Sequence, residues 1–169
     1  MRNTDRFPVK GANSLWQLYK TVPFWKVMRN FVVIQLARYT PFIPMKNWMY
    51  RTFLGMEVGE KTAVALMVMM DILVPERIHI GRNSIIGYNT TILAHEYLID
   101  EYRFGDVYIG SEVMVGANTI ILPGVTIGDR AIVAAGSVVH KDVAPGTFVG
   151  GNPIQVIGKN QEKEMEATE

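Results

Sequence analysis

The stretch 107-VYIGSEVMVGANTIILPGVTIGDRAIVAAGSVVHKDV-143 carries an aliphatic residue every six positions, at Ile109, Val115, Ile121, Ile127, Val133 and Val139. Glycine follows three of them, at Gly110, Gly116 and Gly128. A helix repeats its apolar face every 3.6 residues and a strand every 2. Six instead fits a short strand, a bend and another short strand, the signature of a solenoid. A second inward position lies two residues before each aliphatic one and holds Val107, Val113, Thr119, Val125, Ala131, Ser137 and Val143, all small or β-branched. Such pairs suit a narrow coil with tight corners. Three hexapeptides per turn predict a triangular coil of about 18 residues, with successive coils hydrogen-bonded in parallel about 4.8 Å apart.

Upstream, the same register runs through Ile80-Gly81, Ile86-Gly87 and Ile92, and more loosely through Val58-Gly59, Val64 and Met70. Two breaks interrupt it. Between Met70 and Ile80 about four residues are inserted around Pro75, Glu76 and Arg77, and Ile92 to Ile109 spans five residues more than two hexapeptides. A regular solenoid has no structural need for the second excursion, so residues 94–106 read as an extruded loop, where function concentrates on a rigid scaffold.

The chain has 169 residues, about half of them apolar, enough for one main core. Cysteine is absent, which removes disulfide and thiolate chemistry and suits a cytosolic protein. Met1 to Lys10 is polar and basic, without the apolar core of a signal peptide. Charge is divided unevenly. Residues 1–61 carry ten Lys/Arg against three Asp/Glu, and residues 62–169 seven against thirteen.

In the basic third, Ser14 is expected to cap a short helix through Tyr19. Pro23 opens a second helix to about Tyr39, stopped by Pro41, and a third spans Met45 to Leu54 with Gly55 as its stop. Phe24, Val27, Met28, Phe31 and Ile34 recur at helical spacing. Residues 1–54 therefore read as a helical cap on the open solenoid end or, through residues 14–54, as a basic amphipathic segment on the inner face of a membrane. Lys26, Arg29 and Arg38 rule out a transmembrane span, and no nucleic-acid-binding motif surrounds the basic residues. Residues 55–157 form the solenoid, and 158–169 a polar tail.

Of three histidines, His79 lies inside a regular repeat and His140 at the end of the regular run, whereas His95 stands where the last regular hexapeptide gives way to the loop. It is the candidate general base. A base needs a group to orient it, and Asp71, Glu96, Asp100 and Glu101 are the candidates. Glu96 is adjacent, but strand neighbours point opposite ways. Asp71 lies 24 residues earlier, within reach from the coil beneath given the insertion.

The motifs Ile121-Leu122-Pro123-Gly124-Val125, Ala135-Gly136-Ser137-Val138-Val139, Lys141-Asp142-Val143 and Gly151-Asn152-Pro153 resemble the hexapeptide-repeat acyltransferases, in particular the maltose, galactoside and Nod-factor O-acetyltransferase group. The resemblance covers roughly residues 55–158. It implies a left-handed parallel β-helix, a homotrimer with active sites between subunits, and acetyl-CoA as donor. His95 matches the histidine that deprotonates an acceptor hydroxyl. Ala117, Ala135 and Gly136 match the pantetheine contacts, and Lys141, with Asn152, Pro153 and Lys159 beyond it, the CoA end. Three departures stand out: Gln155 and Gly158 replace arginines, Met67 falls near a sugar-binding asparagine, and the loop after His95 is shorter. The apolar run at Met67 and the basic N-terminal third point toward a glycan or cell-envelope acceptor more amphiphilic than a simple sugar. The competing readings are a non-catalytic β-helix scaffold and a gamma-class carbonic anhydrase, whose zinc would need three converging histidines. No metal is expected.

Overall fold

The computed structural model describes residues 2–159, without the side chain of Lys159. The tail at 160–169 lies outside the described residues. From Glu57 to Gly150 the chain winds as a left-handed parallel β-helix of three sheets. In one, Glu57–Val58, Ile78–Ile80, Val107–Ile109 and Thr126–Ile127 stack in parallel. In the second, Ala63–Val64, Ile85–Ile86, Met114–Val115, Ile132–Val133 and Thr147–Gly150 stack, and Gln155–Lys159 folds back antiparallel on the last. In the third, Thr91–Ile92 pairs with Ile120–Ile121 and that with Val138–Val139.

The six-residue period is met position by position. Val58, Val64, Met70, Ile80, Ile86, Ile92, Ile109, Val115, Ile121, Ile127, Val133 and Val139 are all buried, as is every member of the second inward set. Where the second inward position is polar, the hydroxyl satisfies a turn carbonyl: Thr119 Oγ1 donates to Gly116 O at 2.8 Å and Ser137 Oγ to Ala134 O at 2.6 Å, as does Ser84 Oγ, two residues before Ile86, to Gly110 O at 2.8 Å. Coils approach so closely that a Cβ on Gly87 would stand 2.6 Å from Ala117 N and 2.7 Å from Val115 O. That contact explains why this position carries no side chain.

Three helices precede the coils: α1 (Leu18–Thr21), α2 (Phe24–Tyr39) and α3 (Ile43–Leu54). Gly55 ends α3 in the left-handed region at φ 69°. Ser14 does not cap a helix as expected. It opens a 3-10 turn through Gln17 and sends its hydroxyl to Leu98 O at 2.6 Å. The first coil has no coil before it, and its carbonyls need donors. α3 supplies them. Lys46 Nζ donates to Val64 O and Ala65 O, Asn47 Nδ2 to Thr62 O, and Arg51 to Val58 O and Gly59 O. α2 adds Asn30 Nδ2 to Ile72 O at 3.0 Å.

The second break in register differs from the expectation. Thr91–Ile92 leads directly to Val107–Ile109 on the neighbouring sheet, so the excursion replaces a single corner and is eleven residues longer than one hexapeptide, not five longer than two. It is ordered as a hairpin, His95–Tyr97 against Glu101–Phe104, whose base is closed by Gly105 N to Ala94 O at 3.0 Å. Its outer strand pairs with Asp5–Pro8, which the sequence reading left without structure.

Candidate active site

The two breaks in the repeat meet in space. Asp71 opens the first and His95 the second, and they lie on one edge of the β-helix, one coil apart. Asp71 is 1% exposed and its carboxylate is fully engaged. Oδ1 accepts the amides of Leu73 at 2.8 Å and Val74 at 2.9 Å, and Oδ2 accepts Ala94 N at 2.6 Å and meets His95 Nδ1 at 2.6 Å. Burial by itself would push this carboxyl pKa up. The hydrogen bond and charge of His95, with the Val74 and Ala94 amides, outweigh burial and hold it below the ordinary carboxylate value. An ionised carboxylate only accepts, so the neutral imidazole must carry its proton on Nδ1. Nε2 is left with a free lone pair, and among the described residues no group is bonded to it. This is the arrangement of a general base with its tautomer fixed from behind.

The other candidate carboxylates are directed elsewhere. Glu96 points to the opposite face of the hairpin, with Oε1 accepting Arg2 Nη1 at 2.7 Å and Arg103 Nη1 3.7 Å from Oε2. Glu101 accepts Arg103 Nε at 2.6 Å. Asp100 is exposed and its carbonyl accepts Val9 N at 2.7 Å. Of the four, only Asp71 reaches the ring.

Strand alternation puts Tyr97 on the same face as His95, with Tyr102 and Phe104 across from them. Phe7 of the N-terminal strand stacks on Tyr102 at 4.9 Å, and the His95 and Tyr97 rings are 5.6 Å apart. Tyr97 Oη and Thr21 Oγ1 are 2.7 Å apart, with Thr21 Oγ1 also donating to Leu18 O. Burial raises the Tyr97 pKa, opposed by the Thr21 hydrogen bond and reinforced by Tyr102 and Asp71, so the phenol stays protonated beside the imidazole. The sequence reading missed Tyr97 and Thr21. The period-2 alternation from His95 could have found Tyr97, whereas Thr21 joins it only through tertiary packing.

The residues matched to the CoA side divide between two edges. Ala117, Ala135 and Gly136 lie where the second sheet turns into the third, with Gly136 N donating to Ala117 O at 2.8 Å. Ala135 and Gly136 are exposed and Ala117 half-buried, so at these three positions the edge presents backbone and methyl groups, while Tyr88, Asn89 and Asn118 project from the same row of turns. Asn152 and Pro153 follow on the same side in an exposed turn, joined by a cis peptide bond. Lys141 is exposed on the next edge, the one that carries His95, after Val138–Val139. The Lys159 side chain lies outside the described residues. His79 Nδ1 is 2.9 Å from Glu57 Oε2 and its ring stacks on Tyr108 at 4.6 Å, while His140 Nδ1 is 3.3 Å from Val138 O. Among the described residues, no three His, Asp or Glu side chains are grouped to hold a metal ion.

Residues 106–141 match the family model described as bacterial transferase hexapeptide (six repeats). YvoF of Bacillus subtilis (strain 168), which carries the name of an acetyltransferase, is 69% identical over 96% of this chain and 94% of its own length. The chain belongs to the hexapeptide-repeat acetyltransferase family. Among solved members, galactoside acetyltransferase in complex with coenzyme A aligns with a TM-score of 0.63 at 25% identity, covering 81% of this chain and 82% of that one. The Vibrio cholerae acetyltransferase VCA0836, complexed with acetyl-CoA, shares the fold at a TM-score of 0.71 and 22% identity, over 88% of this chain and 98% of its own. The hexapeptide-repeat fold thus extends across the solenoid and part of the N-terminal region.

Proposed function

We propose that the protein is an acetyl-CoA-dependent O-acetyltransferase with His95 as general base. The observation that carries this reading is the buried Asp71 carboxylate bonded to His95 Nδ1, which leaves Nε2 as acceptor. In the proposed step Nε2 takes the proton of an acceptor hydroxyl while its oxygen attacks the thioester carbonyl carbon. The tetrahedral intermediate collapses with cleavage of the C–S bond, and the imidazolium returns the proton to the departing CoA thiolate. Asp71 stabilises the imidazolium between those events.

Binding of acetyl-CoA along the Ala117, Ala135 and Gly136 edge fits the residues present, because a thin pantetheine arm needs backbone donors and no bulk beyond a methyl group. That edge is separated from the His95 edge by one sheet face, at most about 20 Å for six residues. A donor lying along one edge would therefore meet the histidine of a neighbouring copy, which supports a homotrimer with active sites between subunits. The apolar outward column Ala63, Ile85, Met114, Ile132 and Phe148 supplies a surface for that contact. The cytoplasm, where acetyl-CoA is made, is the compartment that fits. The aromatic wall of Tyr97, Tyr102 and Phe104 beside the base favours a sugar-like or cell-envelope hydroxyl as acceptor over a small charged one.

The test is CoA-thiol release from acetyl-CoA with a panel of hydroxylated acceptors, comparing wild type with His95→Ala at matched oligomeric mass. The expected result is a loss of about 10²–10⁴ in kcat with the KM for acetyl-CoA preserved. Equal thiol release by the two proteins would overturn the general-base assignment.

A further inference from the structure

The N-terminal helices bury one face and leave another apolar face open. Along α2, Asn30, Ile34 and Ala37 turn inward and are buried, whereas Trp25, Met28, Val32, Leu36 and Tyr39, spaced three or four residues apart, form one exposed stripe on the opposite side. The stripe continues into the preceding turn. The Trp25 ring lies 5.3 Å from Phe24 and the Phe24 ring 5.6 Å from Tyr19, one turn from Trp16. Trp16 is 78% and Trp25 80% exposed. Large apolar groups presented together in this way mark a docking surface.

Charge identifies what docks. From Arg6 to Met56 the sequence contains eight Lys/Arg and not one Asp or Glu. Lys20 is exposed within the aromatic turn, and Arg29 is exposed one helical turn after Trp25. Two copies meeting face to face through this surface would set like charges against each other. Tryptophan and tyrosine with flanking cations and no acid are the composition of an anionic lipid–water boundary. No helix among the described residues is long and apolar enough to cross a bilayer, so the contact is with its surface.

We propose that the outward stripe of α2, together with the Trp16–Tyr19 turn, docks the protein on an anionic bilayer surface. The same turn is joined to the His95 hairpin through Ser14 to Leu98 O and Thr21 to Tyr97. Docking would therefore hold the base at the membrane boundary, where a hydroxyl on a lipid-linked acceptor is presented. The docking itself does not depend on the acetyltransferase reading.

The test is co-sedimentation of the full-length protein with phosphatidylglycerol-containing vesicles and with phosphatidylcholine vesicles. Wild type should pellet with the anionic vesicles, less so as salt rises, and tryptophan emission should shift to the blue. The Trp16→Ser/Trp25→Ser variant should lose about tenfold or more in vesicle affinity, with its oligomeric mass and melting temperature unchanged, because both side chains are exposed. Lys20→Glu should weaken binding to anionic vesicles alone. Wild type remaining in the supernatant with anionic vesicles, or the double variant binding as well as wild type, would sink the proposal. A smaller oligomer in the double variant would overturn it in favour of a subunit contact.

Discussion

Asp71→Asn changes one atom and tests how the site is built. The wild-type carboxylate accepts four donors: three amides and the His95 ring. An asparagine keeps its carbonyl oxygen toward Leu73 and Val74 and turns an NH₂ group toward Ala94 N–H and the imidazole. The Ala94 amide, in a fully buried residue, then faces a donor and loses its acceptor, a cost of about 1–3 kcal/mol. The ring can satisfy the new NH₂ only by accepting at Nδ1, which moves its proton to Nε2 and removes the lone pair that the proposed mechanism uses. Turnover should fall by about 10²–10⁴, with little change in the KM for acetyl-CoA.

The stability loss should also depend on pH in a definite sense. Because the folded-state pKa of Asp71 lies below the unfolded value of about 3.9, its contribution is fully present above that value and is lost as pH falls through the folded one. Urea unfolding from about pH 7 to about pH 3 should therefore show the gap between wild type and variant closing at the acid end. A gap that stays constant across that range, or turnover within about threefold of wild type, would refute this account of the site.

Lys46 should give the same sign of pH dependence in an alkaline window. Its burial under α3 lowers its pKa, so the unfolded chain binds more protons between the folded value and about 10.4, and stability should rise with pH in that window. Urea titrations of wild type and Lys46→Met, kept below about pH 9 so that Tyr50 does not ionise in the unfolded state, should show the rise only in wild type. Gly87→Ala should cost about 3 kcal/mol, the upper end for overpacking, since its Cβ would meet the backbone of the next coil. Gly136→Ala, with φ 71° and nothing within 4 Å, should cost only about 1 kcal/mol of backbone strain. Equal melting-temperature shifts for the two would contradict the coil-contact argument.

Local and periodic information explains what the sequence made legible. Each inward position of the coils is set by a contact to its own repeat or the next, so a six-residue count suffices to name the core from Val58 to Val143. The same count locates Asp71 beneath His95, because stacking converts a sequence separation of 24 into adjacency. It fails where an element's partner is outside the repeat. Asp5–Pro8 is a strand only because Glu101–Phe104 offers it an edge, and nothing in its polar, basic composition announces that. Ser14 has the chemistry of a helix cap, yet Leu98 O competes for its hydroxyl and wins.

The N-terminal helices are more instructive, because their sequence offers a cap and a membrane segment as alternatives. A helix can serve both when its two faces differ in what they meet. Lys46, Asn47 and Arg51 on α3 are drawn to the unpaired carbonyls of the first coil, and that demand exists whatever lies outside. The stripe from Trp25 to Tyr39 is not used by the coil at all. A helix needed only as a cap would place polar residues there. On the docking proposed above, the apolar residues on both faces of α2 would meet two surfaces, the protein core on one side and a lipid boundary on the other. Loss of vesicle binding without loss of stability in the Trp16/Trp25 variant would separate them.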